Sequence, residues 1–176
     1  MLTTPGRRFV DLRFALVTGA LYWGFAGLSL PPGPGRGRWT HTIDSRRTSP
    51  GEDTGTMETL ASGDVLERGE MVDFDDGQLK PYEEVWRDPE LHANERIAIV
   101  LETDGGCVVR VGPWCQGILK VDNDTASERW HDRVLVQGGG QELVANSIWE
   151  LEKELAVGEM LQSGGRTWKV VERSVW

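Results

Sequence analysis

Hydrophobic and polar residues alternate along much of the chain with a period of two, which is typical of β-strands. Trp23 and Phe25 fall on one face of such a strand, and Trp39 and His41 share a face of the next. The segments with strand character, separated by turn residues, are 8–17, 20–28, 38–44, 56–60, 65–71, 82–87, 96–102, 107–111, 114–121, 130–137, 158–162 and 167–172. Many short strands with close turn signals predict an all-β protein, an antiparallel sandwich or barrel.

Two polar segments, 45–55 and 122–128, are predicted to be loops because they lack a continuous apolar face. Ser147-x-x-Glu150 has the form of a capping box, in which the serine side chain caps the first turn of a helix. The sequence therefore predicts one short helix near the C-terminus, from Ser147 through Leu155.

An uncharged segment, 14–30, follows Arg7, Arg8 and Arg13 and has the layout of a signal peptide. It is slightly short for a membrane span, and its period-two alternation is that of a strand. We therefore predict a β-hairpin over 8–28, no stable membrane insertion and a cytoplasmic protein, with secretion as the less favoured alternative.

Composition narrows the classes of partner. The net charge of −9 over 176 residues argues against nucleic acids, whose phosphates require clusters of Lys and Arg. The two cysteines, Cys107 and Cys115, do not face each other across the predicted turn, so reduced thiols are expected. Eight Trp against four Phe and two Tyr indicate a special use of indole, in core packing or around a flat organic ligand.

Several phrases together resemble the fungal Hri family, small proteins with a lipocalin-like (calycin-like) double β-barrel. The matching segments are 22–27 (Tyr-Trp-x-Phe-Ala-Gly), 39–45, 82–88, 112–117 (Gly-x-Trp-x-Gln-Gly) and 165–172 (Gly-x-x-Trp-Lys-Val-Val-Glu). The resemblance implies a lipocalin-like barrel, either two fused small barrels or a sandwich. Its halves are expected at 1–90 and 91–176, packed as one compact unit.

Family members usually carry an opening strand before the segment that matches residues 6–16 here. The resemblance therefore implies a first barrel that lacks its N-terminal strand, and a homodimer is one way to close it. Relatives occur among fungal natural-product pathway genes, which favours a role with small molecules.

Candidate site residues follow from the strand faces. The substrate-binding candidates are aromatic residues on different strands that could line one cavity: Trp23, Trp39, Tyr82, Trp86 and Trp114. Core packing alone would explain them equally well.

The catalytic candidates are His41 as a base or hydrogen-bond donor, Glu84 as an acid beside indoles, and Gln116 as a group that orients a carbonyl. The alternatives are a satisfied histidine, a cross-strand salt bridge and an amide that satisfies backbone groups. The sequence has no nucleophile elbow, phosphate loop, dinucleotide fingerprint or metal-ligand spacing, so we expect no metal and no cofactor.

Three hypotheses remain. The first is a cofactor-free cyclase or isomerase, including a Diels–Alder-type pericyclase, that acts on an apolar terpene or polyketide intermediate of fungal secondary metabolism. The second is a carrier that uses the same pocket without chemistry. The third is a protein-interaction module with a filled barrel and an exposed strand edge.

Overall fold

Two seven-stranded antiparallel sheets make up the molecule, as a computed structural model shows; it describes residues 1–31, 33–74, 76–139, 143, 145–150 and 155–176. The all-β prediction is confirmed. The first sheet contains β1 (Leu2–Thr3), β2 (Arg8–Phe14), β3 (Leu21–Ser29), β4 (Arg36–Asp44), β5 (Gly51–Thr59), β6 (Val65–Val72) and β7 (Leu79–Trp86), paired in chain order.

The second sheet is a meander with its last two strands added at one side. Its strands are β8 (Ile97–Thr103), β9 (Gly106–Val111), β10 (Trp114–Val121), β11 (Asp124–His131), β12 (Val134–Gly139), β13 (Met160–Ser163) and β14 (Arg166–Val175). Their order is β12-β11-β10-β9-β8-β14-β13, and the helix α1 (Ala145–Glu150) and a 3-10 turn (Ala93–Glu95) complete the described elements.

The structure corrects three local predictions. Residues 51–55 belong to β5 and 124–128 to β11, because polar residues also alternate there and pair with β4 and with β10, respectively. A tight turn at Asp132 and Arg133, both with positive φ, then joins β11 to β12 without glycine. The helix begins at Ala145, two residues before the predicted cap at Ser147, and 151–154 of its predicted extent lie outside the described residues.

The predicted hairpin over 8–28 is confirmed as β2 and β3. Its two faces have different neighbours. Val10, Leu12 and Ala26 pack against Val100 and Val109 of the second sheet, in a cluster that joins the two sheets. Burying each valine or leucine side chain of this cluster contributes about 1.5–3 kcal/mol.

The opposite face of the hairpin carries Phe9, Trp23 and Phe25, which pack with Trp39 inside the first sheet. No helix of the described chain combines the length and the hydrophobicity that crossing a bilayer requires.

Polar contacts fix one sheet on the other. Lys120 of β10 donates from Nζ to the carbonyl oxygens of Asp44 at 2.5 Å and Arg47 at 2.6 Å. Glu172 of β14 accepts from Thr4 Oγ1 at 2.7 Å and from the Gly6 backbone N–H at 2.8 Å. The chain segments next to β2 and β4 are therefore held by the second sheet.

The first sheet curls so that its far strand returns to β2. Strands five places apart would be about 24 Å apart in a flat sheet. Arg13 of β2 nevertheless contacts Glu84 of β7 directly, with 2.5 Å between Nη1 and Oε1. The inner face of β2–β7 therefore encloses a space, and the residues that line this space form the candidate site.

Candidate functional site

A narrow cavity lies on the inner face of the curled first sheet, with a volume of about 20 Å³, enough for one or two water molecules. We call it the aromatic pocket, because its walls contain Trp23, Phe25, Trp39, Tyr82 and Trp86. It is also lined by four carboxylates, Asp11, Asp53, Glu67 and Glu84, and by Arg13, Met1 and Met71.

Arg13 connects two of the carboxylates. Its guanidinium donates to Glu84 at 2.5 and 3.1 Å and to Asp11 at 3.1 Å, and it lies 5.0 Å from the ring centroid of Trp23. Burial raises the pKa of Glu84 above its ordinary value; Arg13 opposes this effect, while the negative charges of Glu67 and Asp11 add to it. Glu84 is therefore a carboxyl group that holds a proton more readily than a solvated glutamate.

Glu67 fixes two of the aromatic side chains. Its Oε1 accepts from the Tyr82 hydroxyl at 2.6 Å and its Oε2 accepts from Trp86 Nε1 at 2.8 Å. Burial, together with the hydrogen bond to Glu67 and its negative charge, raises the pKa of Tyr82, so the phenol stays protonated and keeps donating. Strands β6 and β7 thus present one ordered wall.

His41 does not line the cavity; it is fully buried and packs against the rings of Trp23 and Phe25. Its ring stacks on Phe25 at 4.2 Å, its Nδ1 is 3.1 Å from Asp44 Oδ2, and its Nε2 is 3.2 Å from Asp53 Oδ2. Burial by itself would lower the pKa of His41, but Asp44 and Asp53 outweigh it and the pKa is raised. An imidazole that keeps its proton is suited to holding Asp53 in place rather than to abstracting a proton.

Asp44 completes this interior network. Its Oδ1 accepts from Trp23 Nε1 at 3.0 Å and from the backbone N–H of Arg46 at 2.8 Å. Burial alone would raise the pKa of Asp44, but the hydrogen bonds from His41, Arg46 and Trp23 lower it. The carboxylate therefore stays charged opposite the imidazolium.

Gln116 and Trp114 lie on β10 of the second sheet and do not line the aromatic pocket. The Gln116 amide lies between the sheets, where its NH₂ donates to the Val10 carbonyl at 2.9 Å and its oxygen accepts from Arg129 Nε at 3.2 Å. Trp114 packs on the ring of His131, with centroids 4.0 Å apart. The structure thus brings together Glu84 and four of the five aromatic candidates, with His41 packed against one of them, Trp23.

Sequence reasoning missed four charged members of the site, Asp11, Arg13, Asp53 and Glu67. Apolar alternation singles out a charged residue only where aromatic residues flank it at a spacing of two, as Tyr82 and Trp86 flank Glu84. Asp11 and Arg13 follow Phe9 at a spacing of two, and the same spacing places them on its face. That periodicity, applied to charged residues, could have found the Asp11–Arg13 pair.

Other sites have less to support them. A wider groove of about 540 Å³, lined partly by the β8–β9 turn and by Thr42 and Ile43, contains none of the predicted site residues. Within the described ranges, no group of three or more His, Cys, Asp or Glu side chains could hold a metal ion. Both thiols are buried, and burial raises the pKa of Cys107 and of Cys115, which makes them unreactive.

A family model described as "Protein HRI1" matches residues 1–172. Neither the curated proteins nor the solved structures contain a match to this chain.

Proposed function

The chain belongs to the HRI1 family, and we propose that it is a small-molecule-binding β-barrel protein whose ligand site is the aromatic pocket. One observation carries this proposal. The inner face of the first sheet is lined by rings and ionised groups around a space, whereas a sheet that served only as a scaffold would fill this face with aliphatic side chains.

The cavity has room for one or two water molecules, so a ligand must widen it, and the fixed rings of its walls favour a flat or compact organic group. Trp23 and Trp86 have their indole N–H groups fixed by Asp44 and Glu67, so their ring orientations are set before a ligand arrives. Preorganised rings lose little conformational entropy on binding. Met1 and Met71, which are unbranched and flexible, line the same space and can move to widen it.

Native mass spectrometry tests the proposal. The purified protein is incubated with a small-molecule extract of the organism that encodes it, and the complex is separated from free compounds before measurement. We expect a discrete mass increment that Trp86→Leu removes and that Trp176→Leu retains, because Trp176 is a half-exposed C-terminal residue outside the pocket. Absence of any increment, or equal loss in both variants, would contradict binding in the aromatic pocket.

A second candidate function is the cofactor-free cyclase or isomerase on an apolar terpene or polyketide intermediate. The observation in its favour is Glu84, a carboxyl group of raised pKa that reaches the cavity beside Trp86 and could donate a proton to a substrate carbonyl. Such a substrate is larger than the cavity, so Met1 and Met71 must swing aside to admit it.

Comparative metabolite profiling with and without the gene tests this second function. Loss of a product with accumulation of a precursor of equal mass would support an isomerase or cyclase. An unchanged profile would leave a carrier as the function of the pocket.

The homodimer and the cytoplasmic location belong to the same proposal. β12 is an edge strand with exposed Val134, Leu135 and Val136, which gives a second copy an apolar edge to pair with. Light scattering after size exclusion should give twice the chain mass, and Val136→Lys should restore the single-chain mass. Fluorescence microscopy of a tagged chain tests the location.

A further inference from the structure

Resting on the proposed function, we propose that the aromatic pocket selects a small organic cation that also carries a hydrogen-bond acceptor, such as an amino alcohol or a quaternary ammonium alcohol. Four observations lead to this class of ligand: the net charge of the pocket walls, the hydrogen-bond partners of Glu67, the aromatic rings, and the indole N–H of Trp39.

Negative charge exceeds positive charge around the cavity. Its lining contains four carboxylates, whereas its positive groups are the Arg13 guanidinium and the α-amino group of Met1, which is 3.3 Å from Asp11 Oδ1. Next to the cavity, His41 lies between Asp44 and Asp53, and Arg47 Nε is 3.8 Å from Asp44 Oδ2, so five carboxylates still face four positive groups. A neutral or anionic ligand would leave this excess unbalanced, and a cation would offset it.

Glu67 is the clearest location of the excess negative charge. It is only 4% exposed, and in the part of the chain that the structure describes its hydrogen bonds come from two neutral donors, Tyr82 and Trp86. Arg13 is bound to Asp11 and Glu84 instead. A buried carboxylate held by neutral donors attracts a cation strongly, because little water screens it.

The rings of the pocket already surround one cation. The Arg13 guanidinium carbon lies 5.0 Å from the ring centroid of Trp23 and 5.5 Å from that of Phe25, both within cation–π range. Trp39, Tyr82 and Trp86 supply three more electron-rich rings around the same cavity. An ammonium group in this space would be in contact with rings as well as carboxylates.

An independent observation indicates the second feature of the ligand. Trp39 lines the cavity and is 94% buried, since its relative exposure is 6%, yet its Nε1–H has no acceptor among the described residues. Buried N–H groups are paired in nearly all proteins; among the described residues Trp130 and Trp149 also have an unpaired Nε1–H, and of these three indoles Trp39 lines the pocket. A hydroxyl or carbonyl oxygen of the ligand would supply the missing acceptor, and a pure hydrocarbon would not.

Three isosteric probes test the inference by calorimetry at low salt: choline, the neutral 3,3-dimethylbutan-1-ol, and the anionic 3,3-dimethylbutanoate. Choline and the neutral alcohol share shape and hydroxyl group and differ in charge. We expect choline to bind about tenfold more tightly than the neutral alcohol, the size of one desolvated cation–π or charge contact, and the carboxylate to show no binding.

Variants of neighbouring glutamates supply the controls. Glu67→Gln should lower the affinity for choline about tenfold more than it lowers the affinity for the neutral alcohol, because both ligands lose the ring positioning and only choline loses the charge contact. Glu84→Gln should act in the same direction and serves as the second test should Glu67→Gln fail to fold. Glu83→Gln is the matched control, because Glu83 precedes Glu84 on β7, is 66% exposed and contacts Arg68 outside the pocket.

The outcomes separate the two proposals. Binding of the neutral alcohol as tightly as choline, or binding of the carboxylate, would overturn the cation inference and leave a ligand site in place. Failure of choline to bind would also overturn it. Failure of all three probes together with no mass increment from the extract would remove the proposed function as well.

Discussion

Replacing His41 with Phe would remove a positive charge that lies between two carboxylates inside the first sheet. The ring of His41 is fully buried, 3.1 Å from Asp44 and 3.2 Å from Asp53, and a phenyl ring keeps its stacking on Phe25. Removing one partner of a buried ion pair costs about 3–5 kcal/mol. Asp44 keeps two further donors, so we expect the lower end, about 3 kcal/mol.

Urea denaturation at pH 6.5, followed by tryptophan fluorescence, measures this loss. With a slope of about 2 kcal/mol per molar urea for a chain of this size, the midpoint should fall by about 1.5 M. The matched control is His131→Phe, because His131 is 39% exposed on its side chain and packs on Trp114 at the surface. That control should change the free energy of unfolding by less than about 0.5 kcal/mol.

The pH dependence of the free energy of unfolding distinguishes loss of the His41 charge from a packing defect. Because the pKa of folded His41 is raised above 6.5, its stabilising contribution is complete below pH 6.5 and is lost as the pH rises through the folded value. The difference in free energy of unfolding between wild type and His41→Phe should therefore decrease from pH 6 to pH 8. Buried thiols titrate in the unfolded chain only at higher pH. The role assigned to His41 would be refuted if this difference stayed constant or increased with pH. It would also be refuted if His41→Phe lost no more stability than His131→Phe.

Two further predictions follow from the packing. Gly27→Ala should disrupt the β3–β4 pairing, because its Cβ would lie 1.7 Å from the Thr40 carbonyl oxygen; Gly33→Ala, which meets nothing within 4 Å, is the control in the same thermal-melting assay. Cys107 and Cys115 should stay unreactive toward a thiol reagent at pH 8 in the folded protein, because burial raises the pKa of both thiols. Both should react in 6 M guanidinium. Rapid labelling of the folded protein would contradict their burial.

The sequence predicts the fold well where apolar residues alternate. The β2–β3 hairpin and the strand around Trp39 follow directly from the period-two pattern. The pattern fails at β11, where Ser127 and Glu128 are buried although both are polar, since their neighbours in space come from elsewhere in the chain. No feature of the local sequence indicates that Glu128 accepts a hydrogen bond from the Leu143 backbone N–H.

The site shows the same limit. The faces of β3, β4 and β7 are readable from sequence, so the pattern predicts the rings of Trp23, Trp39 and Trp86 together; it wrongly adds Trp114, which lies on the second sheet. Which strands meet across the curled sheet depends on its curvature, and this decides that Arg13 pairs with Glu84. The same long-range geometry puts Gln116 between the sheets and away from the pocket.

A ligand that enters the aromatic pocket should change the surroundings of the indole N–H groups in its walls. The most direct measurement is the spectrum of the eight indole N–H groups, assigned by single Trp→Phe variants and recorded while choline is added to ¹⁵N-labelled protein. The resonances of Trp39 and Trp86 should shift together and saturate as the choline concentration rises, while that of Trp114 on the second sheet stays in place. Shifts confined to Trp114, or equal small drifts of all eight, would contradict binding in the aromatic pocket.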